Sequence, residues 1–157
     1  MSASVQPQTQ LRPMRPADVK AVAEVERSNY RFPWTIGVVR DCLLAGYHGQ
    51  VLESDGVING YSIMSVSGLE AHLLNLCVHP SSKRLGYGRR LLNAALLRAE
   101  ELGVEQVFLE VRPLNYAAIG LYRSSGFRQI GTRPSYYQSD DGREDAIIFA
   151  ATINLSH

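Results

Sequence analysis

The chain has 157 residues, a length that suits a single domain with one hydrophobic core. Its 16 basic and 15 acidic side chains leave a net charge of +1, which gives no field to steer nucleic acid or an anionic membrane to the protein. Composition therefore argues against direct binding of nucleic acid or of a membrane, and we expect any partner to be recognised at a local site.

The two cysteines, Cys42 and Cys77, form neither a disulfide framework nor a CxxC pair. No apolar N-terminal segment indicates export or membrane insertion, so we expect a cytoplasmic protein. The histidines are scattered, and no further pair of ligands accompanies Cys77 and His79. We therefore predict no metal site.

Residues 1–9 are polar and rich in Gln and Ser, which predicts a disordered tail before a single domain over 10–157. Apolar periodicity and turn residues divide that domain into helices and strands. In chain order we predict a strand at 10–14, helices at 16–30 and 35–44, strands at 49–53, 57–66 and 71–78, a helix at 89–102, a strand at 104–111, a helix at 115–125, and strands at 127–136 and 145–154.

Local signals support several of these boundaries. Thr35 suits a helix N-cap, Ser54-Asp55-Gly56 indicates a hairpin, and Gly103 suits a helix end. The strand at 71–78 is apolar almost throughout, as in a sheet covered on both faces. The strand at 104–111 should run parallel to it, because a helix carries the chain back between them. The sequence thus predicts one α/β domain, a mixed central sheet flanked by about four helices.

The segment LLNLCVHPSSKRLGYG runs from an apolar strand through a basic, glycine-bearing loop to an amphipathic helix. Bare backbone N–H groups and the helix dipole favour an anion at such a point. Arg89 and Arg90 follow Gly88, so the Lys and hydroxyl of a P-loop are missing, and Leu91 occupies the third-glycine position of a dinucleotide fingerprint. The loop fits a diphosphate held by main-chain amides, and a plain glycine-bearing turn is the alternative.

Three stretches, LLNLCVHPSSKRLGYGRRLL, LEVRPLNYAAIGLYRSSGF and SYYQSDDGREDAIIF, resemble the GCN5-related N-acetyltransferases (GNAT superfamily). The last two are similar to the RimI branch, the ribosomal-protein-alanine N-acetyltransferases of bacteria. The resemblance covers nearly the whole chain from about Gln10. Lys83 departs from the family pattern, which carries Gln or Arg there, and lysine loses any bidentate contact.

This resemblance implies a single GNAT domain with acetyl-CoA as acetyl donor and the N-terminal alanine of small-subunit ribosomal protein eighteen as acceptor. It implies Glu110 as proton acceptor and Tyr122 as proton donor. Trp34, Tyr136 and Tyr137 lie in segments that flank the acceptor side in this family, where they either shape the peptide entrance or only pack. The cofactor-binding residues that it implies are Leu76, Cys77, Val78, Arg84, Leu85, Gly86, Tyr87, Gly88, Arg89 and Asn115.

Elementary chemistry gives these roles a reason. An α-amino group has a pKa of about 7.7 to 8.0, so a base must remove a proton before the amine attacks a thioester. Glu110 lies at the C-terminal end of a predicted parallel strand, where α/β sheets bind ligands. A phenol with a pKa of about 10 protonates a thiolate only at a thermodynamic cost, so Tyr122 is either a proton donor or a hydrogen-bond stabiliser.

Main-chain N–H groups near Cys77 and Val78 are expected, by family analogy, to stabilise the oxyanion. Cys77 lies among apolar residues and is interpreted as a small hydrophobe, which argues against a covalent acetyl-cysteine. Two alternatives remain open: a GNAT enzyme that acts on other protein N-termini, an internal lysine or a small amine, and a non-catalytic acetyl-CoA-binding module. The presence of both Glu110 and Tyr122 argues against the second.

Overall fold

The computed structural model describes residues 9–153. Most of the predicted tail lies outside this range, while Thr9 begins the first strand. In chain order the elements are β1 (Thr9–Pro13), a 3₁₀ turn (Pro16–Asp18), α1 (Val19–Arg27), α2 (Ile36–Leu44), β2 (His48–Ser54), β3 (Val57–Ser67), β4 (Glu70–Val78), a second 3₁₀ turn (Pro80–Ser82), α3 (Tyr87–Glu101), β5 (Gln106–Val111), α4 (Tyr116–Ser124), β6 (Arg128–Ser139) and β7 (Gly142–Thr152).

The strands form one seven-stranded mixed sheet in the order β1-β2-β3-β4-β5-β7-β6. The β4 and β5 strands run parallel, as predicted from the helical crossover between them, and the other pairs are antiparallel. Together with α1 to α4 this sheet confirms the predicted α/β architecture. No helix within residues 9–153 is long and apolar enough to cross a lipid bilayer.

The sheet opens between β4 and β5. These strands pair only from Glu70–Gln106 to His72–Phe108, and beyond that point their backbones separate. A bulge lies just past the last pair, because Met64 of β3 faces Leu73 whereas Ile63 faces Asn75, and Leu74 has no opposite residue. The opening and the bulge together leave a gap at the carboxyl ends of the two parallel strands.

Helices cover both faces of the sheet, which explains the almost continuous apolar sequence of β4. The face towards α3 and α4 is packed by a cluster that includes Leu92, Ala95, Leu109, Tyr122 and Phe149. The opposite face, towards α1 and α2, is packed by a second cluster that contains Val22, Val39, Tyr61, Ile63 and Cys77.

Several helix and turn boundaries follow from local chemistry. The Oγ1 atom of Thr35 accepts from the N–H of Val38, so Thr35 caps α2 as predicted. Asp55 and Gly56 both have positive φ angles, of 51° and 82°, and form the primed turn that suits a two-residue hairpin. The 3₁₀ turn at Pro16–Asp18 precedes α1, and α1 ends at Arg27, earlier than the predicted Tyr30.

The predicted start of α3 was wrong, whereas Gly103 stops the helix as predicted, in the left-handed conformation with φ of 77°. The helix begins at Tyr87 rather than after Gly88, because Gly86 takes the left-handed conformation and serves as its N-cap. It ends at Glu101, and Leu102, predicted to continue the buried stripe, is 37% exposed. Leu91 and Leu92 are both fully buried.

We expect Leu92→Ala to lower the free energy of unfolding by about 2–5 kcal/mol, because the substitution removes a fully buried side chain and leaves a cavity. Leu97→Ala is the matched control, since Leu97 lies on the same helix and is 57% exposed. Its effect should stay within about 0.5 kcal/mol. Urea denaturation measures both changes, and equal losses would contradict the packing described for α3.

Candidate active site

A cleft of about 620 Å³ lies at the gap between β4 and β5. Seven of the residues predicted for the site line it: Trp34, Leu76, Glu110, Asn115, Tyr122, Tyr136 and Tyr137. Cys77, Val78 and the loop at 84–89 do not line this cleft. The structure therefore separates the predicted residues into a cleft group and a group at the glycine loop.

Glu110 and Tyr122 reach the cleft from opposite faces of the sheet. Leu109 and Val111 pack under α3 and α4, so strand alternation directs Glu110 to the face covered by α1 and α2. Tyr122 comes from α4, and its ring meets Phe127 edge-on at 5.7 Å. The two side chains line one cavity because the sheet is open between them.

The Glu110 side chain is only 6% exposed and has two basic neighbours. Its Oε2 atom contacts Nε2 of His72, which lies on β4, and its Oε1 atom is 3.6 Å from Nη2 of Arg133, on β6. Neither His72 nor Arg133 was predicted to lie beside Glu110. Strand alternation was a partial signal for His72, because it lies between Ala71 and Leu73, which face the α3 and α4 side.

Tyr122 is buried, and burial raises the pKa of its phenol well above the ordinary value, with a smaller contribution from nearby Cys77. The hydroxyl is therefore protonated throughout the physiological pH range. Of the two roles predicted for Tyr122, this environment favours hydrogen-bond donation, because full transfer of its proton has become more costly.

A buried carboxylate that the sequence interpretation missed supports one side of the cleft. Glu26 is 2% exposed, and its Oε1 accepts hydrogen bonds from Tyr61 Oη (2.7 Å) and Asn75 Nδ2 (2.9 Å). Its Oε2 accepts from the main-chain N–H of Trp34 at 2.9 Å. Glu26 thereby ties the segment between α1 and α2 to the β4 bulge. An acidic residue on the apolar face of α1, one turn after Val22, was the available signal.

The register of β4 decides which amides face the gap. The N–H of His79 donates to Asn59 O at 2.7 Å, so alternation turns Cys77 towards β3 and Leu76 and Val78 towards the gap. Asn75 Oδ1 accepts from the N–H of Leu76 at 3.0 Å. Of the two residues predicted to stabilise an oxyanion, Val78 is therefore the one whose N–H faces the opening.

Cys77 is turned away from the cleft. Its side chain belongs to the cluster on the α1 and α2 face, and its Sγ lies 3.9 Å from Val25 O. Burial, reinforced by the negative charge of Glu26, raises the pKa of the Cys77 thiol to about 12. Such a thiol is a poor nucleophile near neutral pH, which agrees with its interpretation as a small hydrophobe.

The glycine loop has the shape expected of an anion cradle. Arg84 and Gly86 adopt left-handed conformations, with φ of 67° and 78°, and α3 begins directly after them. The N–H of Arg90 donates the first hydrogen bond of α3, to Gly86 O at 3.1 Å. The N–H groups of Tyr87, Gly88 and Arg89 come before it in the chain, so the hydrogen bonds of the helix do not use them. A Cβ at Gly88 would lie 3.4 Å from Leu121, which shows how closely α3 approaches α4.

Some side chains predicted to bind the cofactor have other partners. Tyr87 Oη lies within hydrogen-bond distance of Ser54 Oγ at 3.2 Å, and Arg89 Nη2 donates to Ser124 Oγ at 2.7 Å. The main-chain N–H groups of these two residues lie in the first turn of α3. Asn115 caps α4 by accepting from the N–H of Ala118 at 3.3 Å.

Aromatic and charged side chains enclose the side of the cleft that β6 forms. Tyr136 and Tyr137 are consecutive on β6, meet edge-on at 4.8 Å and both line the cleft, although neighbours on a regular strand face opposite ways. The pairing of β6 with β7 is irregular between Arg133 and Tyr137, and this irregularity brings both rings to one side. Arg112 lies 4.3 Å from the Tyr137 ring centroid.

Comparison with known proteins agrees with this fold. The Acetyltransferase (GNAT) family profile matches residues 19–127. The ribosomal protein bS18-alanine N-acetyltransferase of Escherichia coli (strain K12) is 38% identical over 138 residues, 88% of this chain and 93% of that relative. The crystal structure of the Escherichia coli ribosomal-protein-S18-alanine N-acetyltransferase has a TM-score of 0.88 at 35% identity and covers 96% of this chain and 97% of its own.

A more distant structure, yncA from Salmonella typhimurium with its cofactor acetyl-CoA, shares the fold at a TM-score of 0.78 and 21% identity, covering 94% of this chain and 95% of its own. The α/β fold, the family match and the similar relatives together identify an acyltransferase. The chain belongs to the Acetyltransferase (GNAT) family. It is an N-acetyltransferase, and this family uses acetyl-CoA.

We expect Glu26→Gln to lower the free energy of unfolding by about 1–3 kcal/mol, because an amide NH₂ replaces one acceptor oxygen and faces a donor in a buried site. Glu24→Gln is the control, since Glu24 lies on the same helix with its side chain 60% exposed. Chemical denaturation compares the two variants. If Glu26→Gln is no less stable than the control, the hydrogen-bond network does not support the fold.

We also expect both cysteines to resist a thiol-specific reagent in the native protein at pH 8 and to react after unfolding in guanidinium, because both are buried and burial raises the pKa of each thiol.

Cys77→Ala should retain acetyl transfer, with Cys42→Ala as the matched control. Loss of transfer in Cys77→Ala alone, with cofactor affinity unchanged, would favour a covalent acetyl-cysteine instead.

Proposed function

We propose that this protein transfers acetyl from acetyl-CoA to the N-terminal alanine of small-subunit ribosomal protein eighteen, bS18, in the cytoplasm. The Escherichia coli relative that carries this activity in its name aligns with 88% of the chain. The observation that carries the proposal is the cleft at the gap, which brings Glu110 and Tyr122 together beside an aromatic wall. This wall consists of Trp34, Tyr136 and Tyr137.

Glu110 is the proposed general base. Its carboxylate takes a proton from the substrate ammonium, directly or through water, and so frees the nitrogen lone pair for attack on the thioester carbonyl. The contacts with His72 and Arg133 hold Glu110 at the edge of the cleft. Low exposure keeps competing water away from the carboxylate.

Tyr122 and Val78 stabilise the charges that develop during transfer. The N–H of Val78, which faces the gap, donates to the carbonyl oxygen as negative charge grows on it. The Tyr122 hydroxyl donates to the leaving sulfur from the α4 side of the cleft. Acetyl-CoA supplies an activated acetyl group, and the chain's own groups supply orientation and proton transfer.

The glycine loop is the proposed site for the diphosphate of the donor. The main-chain N–H groups of Tyr87, Gly88 and Arg89 form the cradle, and Arg84 and Leu85 lie in the preceding turn. Leu76 and Val78 present gap-facing backbone to the arm that carries the acetyl group, with Asn115 on the opposite side of the cleft. Cys77 contributes packing beneath this edge.

The nearest alternative keeps this chemistry and changes the acceptor to other protein N-termini, an internal lysine or a small amine. The similarity to a relative named as a ribosomal-protein N-acetyltransferase favours a peptide acceptor. A non-catalytic acetyl-CoA-binding module is the alternative of another class. The juxtaposition of a carboxylate and a phenol in one cleft favours the enzyme over that module.

We expect mass spectrometry to show one acetyl group on a peptide that matches the N-terminus of bS18 after incubation with acetyl-CoA and the enzyme. Copies with a blocked α-amine or another first residue should gain none or much less. Acetylation of an internal lysine in the blocked peptide would contradict the α-amine assignment and support the lysine alternative.

Two variants test the proposed roles of Glu110 and Tyr122 in the same assay. Glu110→Gln and Tyr122→Phe should each bind acetyl-CoA like the parent protein and lose turnover, the first by about 10²- to 10⁴-fold if it removes a general base. Undiminished turnover in a folded variant would remove the corresponding role. Binding of acetyl-CoA without transfer to any amine by the parent protein would support the binding module.

A further inference from the structure

Acetylation of an ammonium group releases a proton that the site must discharge. The nitrogen begins as R–NH₃⁺ and ends as an amide N–H, so it loses two protons, while the departing thiolate takes up one. Each turnover therefore yields one net proton. If Glu110 accepts that proton, the carboxylate must lose it before the next cycle, yet its side chain is only 6% exposed.

His72 is placed to receive this proton. Its Nε2 atom contacts Oε2 of Glu110, and its own side chain is 32% exposed. His72 is absent from the lining of the cleft, so the exposed part of its side chain meets solvent outside the cleft. Phe108 faces His72 in the last pair of β4 and β5, and Glu110 lies two residues further along β5. The contact between Glu110 and His72 therefore bridges the two strands where their pairing ends.

The other groups around Glu110 are unsuited to this role. Arg133 of β6 lies 3.6 Å from Oε1, but a guanidinium is already protonated and accepts nothing. Tyr136 and Tyr137, also of β6, are neutral phenols whose pKa burial raises further. Ile148 of β7, opposite Glu110 in the ladder, is apolar. Among residues 9–153, His72 is the contact of Glu110 whose ring can both accept and release a proton.

We propose that His72 is a proton-relay residue that carries the proton from Glu110 to solvent. The Oε2–H bond of protonated Glu110 breaks as an N–H bond forms at Nε2 of neutral His72, whose Nδ1 already carries a proton. The Nδ1–H bond of the resulting imidazolium then breaks as water takes that proton. Glu110 is thereby returned to the carboxylate. Proton exchange with solvent returns the ring to the Nδ1–H tautomer before the next turnover. The proposal rests on the proposed role of Glu110 as general base, and His72 acts through Glu110 without touching either substrate.

A merely structural His72 would behave differently. If its contact only holds Glu110 in place, a side chain that preserves an N–H donor should keep the rate. His72→Gln supplies such a donor but cannot accept and release a proton, so it separates the two roles. His72→Asn is a second variant with a shorter amide, and His48→Gln is the control, since His48 begins β2 and lies outside the cleft.

The experiment measures steady-state thiol release with acetyl-CoA and the bS18 N-terminal peptide, using the full chain. We expect His72→Gln and His72→Asn to lower kcat by about 10- to 100-fold, less than loss of the base itself, with both KM values unchanged. Added imidazole should restore kcat in proportion to its concentration, because it accepts the proton from Glu110 in place of the missing ring. The parent protein and His48→Gln should be insensitive to imidazole.

An unchanged kcat in a folded His72→Gln would overturn the relay, as would a loss that imidazole does not restore. Glu110→Gln, assayed in parallel, separates the two proposals. If Glu110→Gln is inactive and His72→Gln is fully active, the relay alone fails. If Glu110→Gln is fully active, the base assignment fails and the relay fails with it.

Discussion

The early separation of β4 and β5 is the constraint on which the site depends. Parallel strands in the middle of a sheet normally pair along their length, and parting them exposes backbone N–H and C=O groups that need other partners. Here two side-chain amides supply some of those partners. Asn75 Oδ1 accepts from the N–H of Leu76, and Asn29 Nδ2 donates to Val78 O at 2.9 Å. The opening is thus a stabilised part of the fold.

This opening connects two otherwise separate halves of the molecule. A closed sheet would keep Glu110 with α1 and α2, and Tyr122 with α3 and α4. The gap gives both access to one cavity, and the buried carboxylate of Glu26 fixes its rim. A buried polar group is costly unless it is hydrogen-bonded, and Glu26 accepts hydrogen bonds from three donors on β3, β4 and the segment that contains Trp34.

The parts of the structure that the sequence predicted well are those governed by neighbouring residues or by chain connectivity. Thr35 caps a helix with its own hydroxyl, Asp55-Gly56 turns a hairpin, and a helical crossover makes β4 and β5 parallel. The family resemblance selected Glu110 and Tyr122, which share a cleft. What was missed joins distant residues: Glu26 meets Asn75 across 49 positions, and His72 meets Glu110 across 38. A local pattern can indicate the face on which such a residue lies, but it does not indicate the distant residue that it contacts.

The irregular stretch of β6 has a consequence for how the protein behaves towards copies of itself. β6 is an edge strand of the sheet, and a regular edge presents unpaired backbone groups to which a strand of another molecule can add. Pro134 has no N–H to offer, and Ser135 adopts a left-handed conformation with its N–H held by Asp145 Oδ1 at 2.9 Å. The distortion that brings two tyrosines to the cleft therefore also hinders edge-to-edge aggregation.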